Sequence, residues 1–242
     1  MNDVDLKKAL EAYAARTGHK LEDVKAVLFD MDGVLYDSMP GHEIAWMRLC
    51  KENGIDAKPE EFYAHEGRTG TSIINILFQR QFGHGVSAEE AARLYSYKAA
   101  YFKALGEAPL MPGAQEAVKA VLASNAVPVL VTGSGQASIL DRLNRDYPGA
   151  FVAGRRVTAA DVKHGKPDPE PYLMGMEKVD AKPWQSIAID NAPLGVESAS
   201  KSGAFTIGVR TGPLPEGSLL AAGADVELNS MAECTKVVRF LL

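Results

Sequence analysis

The sequence predicts an α/β fold: a parallel β-sheet with helices on both faces, interrupted by an inserted α-helical cap. Two observations predict it. Short, apolar, β-rich runs recur at 25–30 (KAVLFD), 127–132 (VPVLVT), 186–190 (SIAID), 204–209 (AFTIGV) and 224–228 (ADVEL), and helical stretches separate most of them. Between 40 and 105 this alternation stops and helical periodicity takes over, with breaks at Gly54, Pro59, Gly67, Gly70 and Gly83–Gly85. The expected division is a core of residues 1–39 and 106–242 and a cap of residues 40–105.

The elements follow in order. Residues 5–16 place Leu6, Ala9, Leu10, Tyr13 and Ala14 at helical spacing, and Gly18 supplies a stop. An added helix within residues 1–24 therefore precedes the first strand. The KAVLFD run is apolar almost throughout, as a strand covered on both faces would be. After the insert, GAQEAVKAVLASN, GQASILDRLNRD, DPEPYLMGMEK and APLGVESASKSG read as the helices between strands. Asp30, Thr132 and Asp190 each end a strand-like run, and functional groups in such sheets gather at the carboxyl ends of the strands.

Composition narrows the function. The chain has 242 residues, 46% hydrophobic, enough for a sizeable core. A net charge of −5 provides no overall field for nucleic acid or an anionic membrane. The two cysteines, Cys50 and Cys234, lie far apart, which suits a reducing compartment better than a disulfide framework. There is no apolar signal core at the start and no apolar run near the ~18 residues of a spanning helix. A soluble, cytoplasmic protein is expected. Oligomeric state is not written in the sequence, and a monomer is compatible with it.

The stretch VLFDMDGVLYDS places Asp30 and Asp32 two residues apart, on one side of an extended segment. Two close carboxylates repel unless a cation or a shared proton relieves them. Mg²⁺ suits them as a hard, oxygen-seeking ion. One acid then serves as nucleophile and the other as general acid/base. A strand end followed by an Asp-Gly turn accounts for DMDG equally well.

FDMDGVLYDS resembles the first motif of the haloacid dehalogenase superfamily of phosphotransferases. VTGSGQ, GKPDPEPY and IDNAPLGVESASKSGA resemble its second, third and fourth motifs in order, over roughly residues 25–210. The insert is similar to the cap of the β-phosphoglucomutase subfamily. The resemblance implies a Rossmann-like core and these roles. Asp30 attacks phosphorus and becomes an aspartyl phosphate. Asp32 is the general acid/base, and its backbone carbonyl helps bind Mg²⁺. Thr132, with the adjacent Gly133 and Ser134, holds phosphoryl oxygens, and Lys166 supplies a fixed positive charge. Such a set matches a transfer that needs positioning and charge neutralisation above all.

The fourth motif departs from the family pattern. Many relatives carry two adjacent acids where this chain has Asp190-Asn191. Aligned through Gly195, Asn191 takes the place of the usual metal-binding acid, one negative charge short, and Asp190 stays open as a ligand. Capping of a helix starting near Pro193 is the other use of Asn191.

The cap loop YAHEGRTG departs too. Related caps carry a basic residue before this glycine, and here Glu66 stands there. A carboxylate repels a dianionic phosphate unless a cation lies between them. Glu66 can thus restore, from the cap side, the charge missing at Asn191, and Arg68 can hold a second phosphate through its planar fork. His42, near the hinge, either contacts leaving-group oxygen or is structural. HEGRTG, VTGSGQ and NAPLGVE are closest to a pyrophosphatase branch of the subfamily. The resemblance therefore implies a Mg²⁺-dependent phosphohydrolase acting on a small phosphorylated substrate, with inorganic pyrophosphate favoured. The alternatives are a β-phosphoglucomutase-type mutase and a non-catalytic binder of phosphate compounds.

Overall fold

The computed structural model describes residues 3–134 and 137–242; Gly135 and Gln136, part of the VTGSGQ motif and the start of one expected helix, lie outside them. Six strands form one sheet: β1 (Ala26–Phe29), β2 (Val127–Val131), β3 (Arg156–Val157), β4 (Ser186–Asp190), β5 (Phe205–Val209) and β6 (Val226–Leu228). Their order is β3-β2-β1-β4-β5-β6, and every pairing is parallel. The first strand therefore sits at the point where the chain reverses its direction of travel across the sheet, the place where such folds leave a crevice.

Residues alternate across this sheet. Val27 and Phe29 of β1 face one apolar layer with Leu130, Ile187 and Ile189, while Ala26 and Leu28 face another with Val129, Val131 and Ala188. The first layer is closed by α1 (Asp3–Thr17), α6 (Ala114–Leu122) and α11 (Met231–Leu241), and the second by α8 (Glu170–Glu177) and α9 (Pro193–Lys201). Core helices α7 (Ala137–Asp146) and α10 (Ser218–Ala221) complete the set. Between β1 and α6 lie α2 (Met39–Glu52), α3 (Glu61–Ala64), α4 (Gly70–Phe82) and α5 (Ala88–Ala104), packed around their own cluster of Trp46, Leu49, Phe62, Ile74, Leu77 and Leu94. This is the expected helical cap on a Rossmann-like core. No helix among the described residues is long and apolar enough to cross a membrane.

The added N-terminal helix is part of the core. Gly18 ends it at φ +76°, its amide donating to the Ala14 carbonyl at 2.9 Å. Tyr13 is fully buried, meets Phe205 edge-to-face at 5.5 Å, and donates from its hydroxyl to the Gly203 carbonyl at 2.9 Å. Arg16 grips both oxygens of Asp225 at 2.8 and 2.9 Å. Tyr13→Ala is expected to destabilise the fold by about 3–5 kcal/mol, as a lost buried aromatic does. A urea titration checks this through a lower midpoint at unchanged slope.

Candidate active site

Parallel register aligns the strand ends. Phe29 pairs with Leu130 on one side and with Ile189 on the other, so Asp30, Thr132 and Asp190 emerge together. The Asp30 amide donates to the Ile189 carbonyl at 2.9 Å, and the Thr132 amide to the Val157 carbonyl at 2.9 Å. Backbone bonds thus fix both residues before their side chains meet anything.

Lys166 arrives from the loop before α8 and is buried. Its Nζ donates to Asp30 Oδ1 at 2.5 Å and Asp190 Oδ2 at 2.7 Å. Burial opposes the ammonium charge, but Asp190 and Asp30 outweigh it and raise the pKa. The Tyr172 hydroxyl also donates to Asp190 Oδ2, at 2.6 Å, and the Ala192 amide donates to Asp190 Oδ1 at 3.0 Å. Gly195 leaves room for that carboxylate, because a Cβ there would overlap it. Asp190 is therefore fully engaged with protein donors. It holds Lys166 beside Asp30.

Asp30 keeps Oδ2 free of Lys166. Burial and the charges of Asp190 and Asp32 push its carboxyl up against the opposing pull of Lys166. The chain then turns at Gly33, whose φ of +77° suits glycine, and a Cβ there would overlap the Asn191 side chain. Asp32, just before the turn, accepts from Ser38 Oγ at 2.6 Å and faces His42 Nε2 at 3.4 Å. Burial raises its carboxyl, but His42, Ser38 and the more distant Lys98 prevail and hold it below the ordinary range.

Lys98 on α5 is buried and contacts His42 Nδ1, while the His42 ring stacks on Phe102 at 4.0 Å. An ammonium can only donate, so Nε2 carries the imidazole hydrogen and offers it to Asp32. Both nitrogens of His42 have protein partners, and through Nε2 the ring braces Asp32. Lys98 was not among the expected site residues. Its signal was present, since it lies at i+7 from Ala91 and i+4 from Leu94 on the buried face of α5, an unusual place for lysine.

The cap loop lies directly over this crevice. A Cβ on Gly67 would meet the Lys166 stem at 3.5 Å and Leu194 at 3.7 Å, and one on Gly133 would meet the Gly67 carbonyl at 3.6 Å. Glu66 Oε2 accepts from Asn191 Nδ2 at 2.9 Å, across the boundary between cap and core. Asn191 does not cap α9; the N-cap residue is Ala192. Glu66 Oε1 and Asn191 Oδ1 are buried and have no hydrogen-bond partner among the described residues. Burial, then Asp30, Asp190 and Asp32, push the Glu66 carboxyl well up. Asp30, Glu66 and Asn191 thus converge as an oxygen-only set with two orphaned acceptors. That set suits a hard divalent cation, which relieves both the repulsion and the unmet hydrogen bonding.

Thr132 Oγ1 accepts from the Ser134 amide at 3.0 Å, folding residues 132–134 into a tight turn beside Asp30. Gly133 and Ser134 line the cleft. Arg68 lines it from the cap, exposed and without a side-chain partner among the described residues. The enclosed space is about 110 Å³.

Against known proteins, residues 24–203 match the family model described as haloacid dehalogenase-like hydrolase. The chain belongs to this family. It is a phosphatase- or phosphotransferase-type enzyme. A haloacid dehalogenase-like relative, hexitol phosphatase A of Escherichia coli, is 30% identical, with 87% of this chain and 93% of that protein covered. Validoxylamine A 7'-phosphate phosphatase of Streptomyces hygroscopicus subsp. limoneus is 29% identical, covering 86% and 95%. A solved structure provisionally named a β-phosphoglucomutase, from Bacteroides vulgatus, has a TM-score of 0.94 at 45% identity, covering 99% and 98%. None of these three is named for pyrophosphate.

Proposed function

We propose that this haloacid dehalogenase-like enzyme is a Mg²⁺-dependent phosphohydrolase that works through an aspartyl phosphate on a compact substrate, with inorganic pyrophosphate favoured. The carrying observation is Glu66, a half-buried cap carboxylate that faces the core acids and is bonded to Asn191 where a sugar-phosphate mutase cap would present a cation. Asp30, Glu66, Asn191 and the Asp32 carbonyl would hold the ion, which when bound neutralises charge on the phosphoryl oxygens and on these acids.

The chain's own groups account for the remaining steps. Lys166 holds Asp30 through Oδ1 and leaves Oδ2 to attack phosphorus. The bond between phosphorus and the leaving oxygen breaks as the Asp30–phosphorus bond forms. Asp32 gives a proton to the leaving oxygen, then takes one from a water that attacks phosphorus and frees Asp30. Thr132 and the amides after it hold the phosphoryl oxygens. The donors around Asp32 hold its carboxyl below the ordinary range, so that little of it carries the proton a leaving oxygen would take. A phosphate leaving group needs less protonation than a sugar alkoxide, so this balance favours a diphosphate. The cleft of about 110 Å³ points the same way, well under the ~300–1,000 Å³ that buries a drug-sized ligand.

Kinship favours a second reading at least as strongly. The relatives named for hexitol and validoxylamine phosphates, and the 45% identical Bacteroides structure, support a sugar-phosphate phosphatase or a β-phosphoglucomutase. A panel of pyrophosphate and sugar phosphates with and without Mg²⁺ separates the two. Pyrophosphate is expected to lead in kcat/KM by at least about tenfold, only with the metal. Conversion of β-glucose 1-phosphate to glucose 6-phosphate with a trace of bisphosphate would establish the mutase instead.

A further inference from the structure

The narrowness of the cleft has a local origin. Gly70 is the first residue of α4, and its φ is not positive. Glycine weakens a helix relative to alanine, and no turn requires it here. What requires it is the ring of Tyr95 on α5: a Cβ on Gly70 would overlap Cδ2 and Cε2 of that ring. The missing side chain at 70 lets the ring lie against the α4 backbone, and from there it borders the cleft.

Neighbours fix the ring in this place. Trp46 lies 6.3 Å away between centroids, and Trp46 in turn stacks on Phe62 at 5.8 Å. Tyr95 is half-buried, and among the described residues its hydroxyl has no hydrogen-bond partner. Tyr95 and Asp32 line the same cleft, Tyr95 from the cap and Asp32 from the core. Asp32 is the group that serves the leaving oxygen. A rigid aromatic wall with a free donor therefore stands where the leaving group must fit.

We infer that Tyr95, admitted by the bare Gly70, is the specificity-determining residue that limits the size of the leaving group and donates a hydrogen bond to it. This rests on the cleft being the phosphohydrolase site proposed above. It goes further by naming the residue that separates compact from bulky substrates. A phosphate leaving group fits under the ring, whereas a hexose must displace it.

The test compares Tyr95→Ala with Tyr95→Phe, using pyrophosphate, glycerol phosphate, glucose 6-phosphate and trehalose 6-phosphate. Tyr95→Ala is expected to raise kcat/KM for the bulkier esters relative to pyrophosphate by at least about tenfold. Tyr95→Phe keeps the wall and is expected to leave that ratio within about threefold, while lowering kcat/KM for the compact substrate by about three- to tenfold. An unchanged size ranking in folded Tyr95→Ala overturns the inference. Tyr95→Leu, which also shortens the side chain but stays apolar, decides the matter if the alanine variant does not fold. The underlying reading fails separately, through a wild-type enzyme that turns over none of the panel. A wild type that prefers glucose 6-phosphate overturns pyrophosphate alone, and the wall is then read from the shift towards trehalose 6-phosphate.

Discussion

Asp30→Asn is expected to lower turnover of every substrate by at least about 10⁴-fold while leaving the fold intact. Removing a covalent nucleophile costs on the order of 10⁴–10⁶-fold in well-studied enzymes, because the residual binding groups have no bond to make. Structure is expected to survive because asparagine matches aspartate in shape and Lys166 keeps Asp190 at 2.7 Å. The substitution also removes a carboxylate that burial and Asp190 already make unfavourable in its charged form. Thermal unfolding of the variant should therefore match the wild type within a few degrees. The decisive measurement is covalent labelling. Acid-quenched wild-type protein should retain radiolabel from ³²P-pyrophosphate, and the variant none. Activity within about a hundredfold of wild type would remove Asp30 as the attacking group.

The legibility of this molecule in its sequence follows from what each element needs. Strands covered on both faces must be apolar throughout, so β1, β2, β4 and β5 stand out as unbroken runs. The edge strand β3, Arg156–Val157, has two residues and leaves no pattern. Helix α11 carries a readable start, Ser230 followed three residues later by Glu233; Ser230 Oγ accepts from the Glu233 amide at 3.2 Å. It escaped notice because no motif lies near it. In the site, Asp30 and Thr132 were legible because adjacent strand ends must converge in a parallel sheet, whereas the roles of Asp32 and Lys166 were implied by the resemblance of DMDG and GKPDPEPY to the family motifs. Asp190 and His42 were visible as site residues, but their roles were not. Which atoms are already occupied depends on Tyr172, 18 residues before Asp190, and on Lys98, 56 residues after His42. The wall at Tyr95 was hidden for the same reason: Gly70 reads as a helix break until its neighbour across the cap is known.

Glu66→Ala separates the charge argument from the rest of the mechanism. In the metal-free protein Glu66 is a half-buried acid facing three others, and its buried Oε1 has no hydrogen-bond partner among the described residues. Its removal should not destabilise that state, since the repulsion is relieved and only one bond, to Asn191 Nδ2, is lost. With the ion bound the sign reverses. One of the anionic oxygens is gone, so Mg²⁺ affinity should fall by about 10- to 100-fold, the size of effect seen when groups that tune a metal site are removed. Thermal unfolding with and without Mg²⁺ reads this directly. Wild type gains stability as RT ln(1 + [Mg²⁺]/Kd), and the variant should gain less at the same concentration. Catalysis should split by substrate. Pyrophosphate, anionic on both sides of the scissile bond, should lose about 10²–10³-fold in kcat/KM. p-Nitrophenyl phosphate, whose leaving group brings one charge and no cap contact, should lose less than about tenfold. Equal losses on both substrates would make Glu66 a general support of Asp30 chemistry. Unimpaired pyrophosphate turnover would mean that the cap carboxylate has no part in holding the ion, and the case for a diphosphate over a sugar phosphate would then rest on cleft size and on the Asp32 environment.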